Sequence, residues 1–338
     1  MGAVKRKVLY FTAPGQVEVR EEPLPALGAD SVLVETTCSA ISGGTEMLVY
    51  QGRFPRDLEA DPVISSLRGG FRYPLAYGYA CSGIVRDTGK QVAGTYRDRL
   101  VFSFQPHSSH FICKPDSVFF VEPSCSLETA CFLPNMETAI NLVQDAAPIL
   151  GERVLVLGQG IVGLLTASLL CEYPLEALVA ADCYERRRDA SPAASILDPY
   201  APDFREHASS LLPGGADLTL ELSGRPETLN DALALTGFCG RIVIGSWYGE
   251  KRAEIDLGGA FHRSRIKLIS SQVSTIEPGL SGRWDKKRRF EVAWKALDRI
   301  KPEKWITHRF PIDRAEEAYR LLDENPQETI QVLIDYNR

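Results

Sequence analysis

A glycine-rich turn between an apolar run and a helical pattern constrains this chain more than any other feature. Residues 154–157 predict a buried strand, and residues 161–171 predict a helix that begins at the turn. Asp182 ends the next apolar run, as the ribose-binding acid of a dinucleotide fold does. A G-x-G-x-x-G turn in this setting predicts a dinucleotide site, with the pyrophosphate at the helix N-terminus. The turn consists of Gly158, Gln159, Gly160, Ile161, Val162 and Gly163.

The choice between NAD and NADP depends on charges near the adenosine ribose. Asp182 would accept hydrogen bonds from both ribose hydroxyls and would repel a 2′-phosphate, which favours NAD. Residues 186–188 are three arginines that could instead reach a phosphate. We therefore expect NAD as the cofactor, in preference to NADP.

The order of β-type and helical patterns predicts the domain organisation. Residues 8–124 contain short β-type runs broken by Gly and Pro, and residues after 153 alternate between strand and helix patterns. The last strand and helix, after residues 301–302, are best explained as completing the first domain. The predicted fold class is α/β, with a Rossmann nucleotide-binding domain at 126–298 inserted into a β-rich domain formed by 1–125 and 299–338.

Composition excludes several classes of partner. A net charge of -6 argues against nucleic acid, and the one basic run, residues 286–289, is expected on a solvated helix face. No apolar run predicts a membrane span. The 8 cysteines include no Cys-x-x-Cys pair, which is typical of reduced thiols in a cytoplasmic protein.

Five motifs carry a resemblance to a known family. With the β-rich segment, the Rossmann unit and the C-terminal return, the chain resembles the medium-chain dehydrogenase/reductase superfamily, near its zinc-alcohol-dehydrogenase-like and bacteriochlorophyllide-dehydrogenase-like branches. The resemblance implies a GroES-like catalytic domain, a small-molecule substrate and a homodimer formed through the nucleotide domains. The motifs are residues 42–46, 74–83, 105–110, 133–139 and 158–163.

The zinc ligands of that family are missing from the matching positions. The first, a cysteine, falls on Gly43, or on Ser42 if the register slips by one, and the histidine of a Gly-His-Glu turn falls on Tyr79. The third falls near Pro134 or Asn135, and residues 82–112 lack the four cysteines of the family's structural zinc lobe. Since none of these residues is a good zinc ligand, we expect no zinc.

Without zinc, hydrogen-bond donors must stabilise the charge on a carbonyl oxygen. Tyr79 stands at the lost histidine position and is a candidate proton donor, although it could also pack within the β-rich domain. Thr45 matches the family's proton-relay hydroxyl. Glu46 matches the acidic position beside the missing cysteine and is expected to orient its neighbours.

Candidate substrate-binding residues lie in three other segments. His107 and His110 either offer imidazoles as hydrogen-bond donors or have a structural or surface role. A metal site is a third interpretation, but in an extended segment a spacing of three places them on opposite faces. Asn135 and Glu137 begin a helix that faces the cleft in the family, where Glu137 either contacts substrate or caps a helix. Trp247 either lines the pocket or packs between domains.

The loops after the later strands supply the remaining cofactor contacts. Ser223, Gly245 and Ser246 follow apolar runs that predict parallel strands. A nicotinamide is expected at the carboxyl edge of those strands.

We therefore expect an NAD(P)(H)-dependent oxidoreductase that acts without zinc on an alcohol/ketone couple. One alternative is an NADPH-dependent enoyl or quinone reductase, against which Asp182 argues. Another is a non-catalytic NAD-binding protein. Retained cofactor and turnover at the nicotinamide absorbance band would separate the three.

Overall fold

The computed structural model describes residues 5–55, 70 and 72–337. The chain divides into two compact units, one formed by Met1–Pro134 with Leu297–Arg338 and one by Asn135–Ala296. The second unit is thus inserted in the chain between the two segments of the first. Among the described residues, no helix is both long and apolar enough to cross a membrane.

The strands and helices follow one another in this order along the chain. The strands are β1 (Lys5–Ala13), β2 (Gln16–Pro23), β3 (Val32–Ile41), β4 (Leu75–Ala76), β5 (Cys81–Thr88), β6 (Leu100–Ser103), β7 (His110–Cys113), β8 (Val118–Phe120), β9 (Arg153–Leu157), β10 (Ala177–Ala181), β11 (Ser195–Leu197), β12 (Ala216–Glu221), β13 (Thr236–Ile244), β14 (Lys267–Ser270), β15 (Ile306–Pro311) and β16 (Gln331–Asp335). The helices are α1 (Thr45–Tyr50), α2 (Leu127–Ala130), α3 (Leu133–Ala146), α4 (Ile161–Leu170), α5 (Glu185–Ala190), α6 (Phe204–Leu211), α7 (Leu229–Leu235), α8 (Lys286–Ile300) and α9 (Ala315–Glu324).

The first unit is built on two sheets. One has the strand order β2-β1-β4, and the larger one has the order β15-β16-β3-β5-β6-β8, with β7 also paired to β3. The first half of β3 alternates between buried and half-buried side chains, the period of a strand with one face in a core. Val32 and Val34 fill one core cluster of this unit, and α1 and α9 supply aromatic side chains to another. This second cluster surrounds the polar residues described below.

The second unit is a doubly wound parallel sheet. Its strand order, β11-β10-β9-β12-β13-β14, is the 3-2-1-4-5-6 order of a Rossmann fold. Apolar clusters cover both faces of the sheet, which explains why β9 and β12 read as continuous apolar runs. The order reverses between β9 and β12, so a dinucleotide is expected across the carboxyl ends of these two strands. The predicted α/β fold class is confirmed.

Two predictions differ from the structure, the domain bounds and the place of the basic run. From Ser126 onward the chain forms two closely spaced helices, α2 and α3, and Ser126 caps α2 by accepting from the Thr129 amide at 3.0 Å. Because α2 contacts β3, β5 and β6, the first boundary lies after residue 134 rather than 125; the second lies after 296 rather than 298. The basic run 286–289 does not lie wholly on a solvated face, since Arg289 is completely buried.

Candidate functional site

The glycine turn between β9 and α4 leaves no room for side chains at two of its positions. Gly158 has φ +100°, and a Cβ there would lie 2.6 Å from the carbonyl of Leu222. A Cβ on Gly163 would lie 2.0 Å from the oxygen of Gly158. Both positions therefore require glycine, as the close approach of helix and strand in this fold demands.

The start of α4 presents backbone donors without a capping side chain. Gly160 is the N-cap residue, and it has no side chain that could accept from the N–H groups of the first turn. A Cβ on Gly160 would meet only the Arg187 guanidinium, at 3.9 Å. Gln159 is buried, and its side-chain amide donates to the Gly158 oxygen and accepts from the Ser191 hydroxyl. These two bonds stabilise the turn. The helix N-terminus has the chemistry of a pyrophosphate site.

Asp182 lies beside this turn at the end of β10. Its two carboxylate oxygens accept the amides of Gln159, at 2.7 Å, and of Tyr184, at 2.8 Å. The carboxylate is nearly buried, so its charge acts in a medium that screens it weakly. A ribose hydroxyl can share these oxygens, whereas a 2′-phosphate would meet like charge.

The three arginines after Asp182 do not act as one group. Arg188 donates to the main-chain oxygen of Asp182 at 2.9 Å and pairs with Asp198 at 3.2 Å. Arg187 lies over the ring of Tyr184, with 4.8 Å from its guanidinium carbon to the ring centroid. Arg188 is thus held by protein partners, while Arg187 stays close to the phosphate end of the turn.

Glu221 at the end of β12 organises the loops after the later strands. Its Oε1 accepts from the amide of Ser223 at 2.8 Å and from the Ser223 hydroxyl, and its Oε2 accepts from the Tyr248 hydroxyl at 2.5 Å. Burial, together with this carboxylate, raises the pKa of Tyr248. Ser246 accepts from the Gly224 amide at 2.9 Å. Sequence reasoning missed Glu221, although a carboxylate that ends an apolar strand is the signal that singled out Asp182.

Gly245 and Trp247, two further candidate residues after β13, have different surroundings. A Cβ on Gly245 would lie 2.5 Å from a methyl carbon of Leu142, so this position is closed by packing. Trp247 is 38% exposed. Its ring is therefore open to solvent in part, as a pocket wall can be.

In the first unit, Glu46 and His107 form a completely buried pair. His107 Nε2 lies 2.9 Å from Glu46 Oε2, which also accepts from the Tyr319 hydroxyl at 2.6 Å. Glu46 Oε1 accepts from the amide of Ser42 at 2.9 Å. The carboxylate thereby joins α1, the loop before β7, and α9.

The Nδ1 edge of the His107 imidazole is hydrogen-bonded to a second group of polar side chains. His107 Nδ1 lies 2.7 Å from the Ser39 hydroxyl, which lies 2.9 Å from the Tyr336 hydroxyl. Burial raises the pKa of the Tyr336 phenol and, together with Glu46, that of Tyr319. Both phenols are therefore neutral at ordinary pH and act as hydrogen-bonding groups. No short-range spacing in the sequence joins Glu46 to His107, so only folding reveals the pair.

Thr45 and Tyr79 lie on segments that this pair touches. Thr45 begins α1, immediately before Glu46, and its amide donates to the Ser42 hydroxyl at 3.3 Å. Tyr79 follows Gly78, whose φ is +112° and whose missing Cβ would lie 2.5 Å from the His107 ring. Both Thr45 and Tyr79 are half-buried. The Glu46–His107 pair thus packs against the turns that carry the two candidate hydroxyls.

His110 does not join this cluster. It begins β7, where its Nδ1 lies 3.1 Å from the Ser109 hydroxyl, and burial lowers its pKa. The pairing of β7 with β3 sets it opposite Glu35. His107 and His110 therefore make hydrogen bonds to different partners and do not form one site.

Glu137 is also committed to protein partners. It lies within α3, is buried, and forms ion pairs with Lys286 and with Arg289 Nε at 3.3 Å. Burial nevertheless raises the pKa of this carboxyl. Asn135, two residues earlier on the same helix, is also buried. Lys286 and Arg289 lie in the first turn of α8, so Glu137 contacts the start of a neighbouring helix through ion pairs.

The residues at the family's zinc positions do not fit zinc. Gly43 has no side chain, Ser42 presents a hydroxyl, and Tyr79 presents a phenol where an imidazole would be needed. Within residues 5–55, 70 and 72–337, no group of three or more His, Cys, Asp or Glu side chains is placed to hold a metal ion.

Comparisons with known proteins agree with this architecture. No family model matches the chain. An uncharacterised zinc-type alcohol dehydrogenase-like protein of Escherichia coli, YphC, is 22% identical over 93% of this chain and 94% of its own. The D-guloside 3-dehydrogenase of Escherichia coli is 24% identical, over 98% of this chain and 100% of its own. The 2-desacetyl-2-hydroxyethyl bacteriochlorophyllide A dehydrogenase of Cereibacter sphaeroides is 23% identical, over 93% and 92%.

A solved structure shows the same fold. An Escherichia coli alcohol dehydrogenase, RspB, determined with NADH, superposes with a TM-score of 0.78 at 18% identity, over 98% of this chain and 99% of its own. The fold and the full-length relatives define a two-domain oxidoreductase. The full-length relatives support the medium-chain dehydrogenase/reductase superfamily and an oxidoreductase. The family and enzyme class expected from the sequence are confirmed.

Proposed function

We propose that this chain is a zinc-independent dehydrogenase or reductase that uses NAD in preference to NADP and acts on an alcohol/ketone couple. The observation that carries the proposal is the Glu46–His107 pair. The acidic side chain beside the lost zinc ligand is satisfied by an imidazole, a phenol and a backbone amide, all from the protein. Both oxygens of this buried carboxylate already accept hydrogen bonds from the protein, which supports a site organised without metal.

Two hydroxyl groups are assigned to the reacting oxygen. The bound nicotinamide supplies or accepts the hydride. Tyr79 donates a hydrogen bond to the substrate oxygen and passes a proton to it during reduction, and Thr45 is the second donor. Glu46 and His107 are positioning residues, because they fix α1 and the Gly78–Tyr79 turn rather than touch substrate.

The preference for NAD is supported by Asp182. Its buried carboxylate lies beside the pyrophosphate turn and is held by two amides, so it cannot easily turn away from a 2′-phosphate. Arg188 is bound to Asp198 and to the Asp182 main chain. Arg187, whose guanidinium lies near Gly160, is the charge that opposes this preference.

Turnover assays with purified protein test the proposed reaction. A panel of secondary alcohols, ketones, enones and quinones is offered with each cofactor, while the reduced-nicotinamide absorbance is followed. Substrate-dependent change with an alcohol or ketone and NAD(H) is the expected result. Turnover of enones or quinones with NADPH alone would replace the proposal, and tight NADH binding without turnover would leave a non-catalytic NAD-binding protein.

We also infer a homodimer formed through the nucleotide-binding unit. Support comes from β14, which is an edge strand of the parallel sheet with mostly exposed side chains, including Leu268 at 38% exposure. An edge strand has backbone hydrogen-bonding groups that can pair with a strand of another chain. Light scattering should give twice the chain mass; the mass of one chain would contradict the inference.

A further inference from the structure

The basic run at the start of α8 contains a buried arginine. Arg289 is completely shielded from solvent, and its Nη2 donates to the carbonyls of Val273, at 2.7 Å, and Thr275, at 3.1 Å. Its other terminal nitrogen donates to the side-chain oxygen of Asn141. The guanidinium therefore ties the segment after β14 to two helices.

Lys286 and Glu137 complete the arrangement. Lys286 donates to the Val273 carbonyl at 3.1 Å and pairs with Glu137, which also pairs with Arg289. One main-chain carbonyl thus accepts from two cationic side chains, and a buried carboxylate holds both cations. We refer to Glu137, Lys286 and Arg289 as the charged clamp.

A second set of bonds fixes the beginning of the same segment. Ser271 donates its amide to the Ile244 carbonyl at 3.0 Å and its hydroxyl to Asp145 at 2.6 Å. Asn141 donates to Asp145 and to the Ser271 hydroxyl, both at 2.9 Å. Residues 271–275 are therefore held through side chains and main chain by α3 and α8.

The position of this segment gives the clamp a role. Residues 271–275 follow β14 at the carboxyl edge of the sheet. Asp182 on β10 places the adenosine half of a dinucleotide on one side of the switch point, so the nicotinamide half extends over β12, β13 and β14. The clamped segment borders that second half.

Stability alone is a poor explanation for such a cluster. Buried ion pairs rarely stabilise a fold more than apolar side chains of similar size would, because desolvating the charges offsets their attraction. What charged groups add is a defined geometry for the carbonyls they bind. Because the charged clamp donates hydrogen bonds to two carbonyls of one loop, it can hold that loop in a single conformation.

We propose that Glu137, Lys286 and Arg289 are positioning residues that fix residues 271–275 as a wall of the nicotinamide half of the dinucleotide site. The inference rests on the proposed function and deepens it. Lys286 and Arg289 bond the loop carbonyls and Glu137 holds the two cations, so the three side chains act on the loop and are given no contact with the cofactor. Their loss should therefore weaken binding of the nicotinamide half and leave binding of the adenosine half intact.

Two ligands distinguish the nicotinamide half of the site from the adenosine half. NADH contains the nicotinamide, whereas ADP-ribose carries the adenosine, the pyrophosphate and the second ribose but no nicotinamide. For Arg289→Met we expect the Kd for NADH to rise at least about tenfold, and the Kd for ADP-ribose to stay within about twofold, since one charge-assisted contact is worth about a factor of ten or more. Calorimetry measures both. If the unaltered chain binds NADPH more tightly than NADH, the same experiment uses NADPH in place of NADH and 2′-phospho-ADP-ribose in place of ADP-ribose.

The matched control is Lys287→Met, which removes the same charge from an exposed position of the same helix and should change neither Kd. If Arg289→Met does not fold, Lys286→Met, whose side chain is 35% exposed, tests the same carbonyl contact with the same expected pattern.

An equal rise in the Kd of both ligands, or no change in either Kd, would contradict the positioning role of the charged clamp. The proposed function would be unaffected. If the unaltered chain binds neither ligand, the proposed function falls and the inference with it.

Discussion

Tyr79 and Thr45 carry the two hydroxyls that we assign to the reacting oxygen. Tyr79→Phe removes one oxygen atom and keeps the ring, so packing against Tyr77 is preserved. We expect kcat to fall about a hundredfold or more, as the loss of a general acid does. Steady-state assays with the best substrate of the panel measure it.

The control for this change is Tyr10→Phe, which removes a hydroxyl bonded to Glu22 and should leave kcat unchanged. If Tyr79→Phe keeps nearly full turnover while Thr45→Ala abolishes it, the proton donor has been misassigned.

Asp182 is a single residue on which cofactor choice depends. Asp182→Asn removes the charge and keeps an acceptor oxygen for only one of the two amides, of Gln159 or of Tyr184, so urea denaturation checks that the variant is folded. We expect the ratio of Kd values, NADP over NAD, to fall about tenfold or more, because repulsion between the carboxylate and a 2′-phosphate disappears. Titration of each cofactor by calorimetry measures this ratio.

Asp189→Asn removes an exposed charge of the neighbouring helix α5 and serves as the control. An unchanged ratio in Asp182→Asn would mean that another group selects the cofactor. A wild-type chain that already prefers NADP would contradict the role given to Asp182.

At the scale of elements, α1 is anchored by one buried carboxylate. Glu46→Ala would leave His107, the Tyr319 hydroxyl and the Ser42 amide without their shared acceptor. Removing one partner of a buried pair costs about 3–5 kcal/mol of unfolding free energy, which urea denaturation can measure.

Glu316→Ala removes an exposed carboxylate from α9, the helix that also carries Tyr319, and should cost little. A loss in Glu46→Ala no larger than in this control would show that the pair does not anchor α1.

Elements with a strong period were predictable from the sequence, and elements without one were not. The apolar runs that became β9 and β10, and the helix after the glycine turn, follow directly from local pattern. The six-residue helix α1 was missed because it is too short to show a helical period. The basic run of α8 was misjudged because burial of Arg289 depends on carbonyls of residues 273 and 275, which no local pattern brings near it.

At the scale of the whole chain, fold and chemistry come from different parts of the sequence. A solved structure of only 18% identity shares the fold over 98% of this chain, since layers of apolar side chains tolerate substitution. The site depends on a few positions, such as Gly43 and Tyr79, so shared fold does not carry shared chemistry. The dinucleotide turn was predictable because it is local, whereas the Glu46–His107 pair joins residues distant in sequence.

The most direct test of zinc independence is the metal content of the purified, active protein. Protein produced with zinc in the medium is assayed by elemental mass spectrometry, and turnover is measured before and after treatment with a strong chelator. Zinc far below about one atom per chain, with turnover unaffected by the chelator, is the predicted result. About one tightly bound zinc per chain, with turnover lost on chelation and restored by zinc, would contradict it.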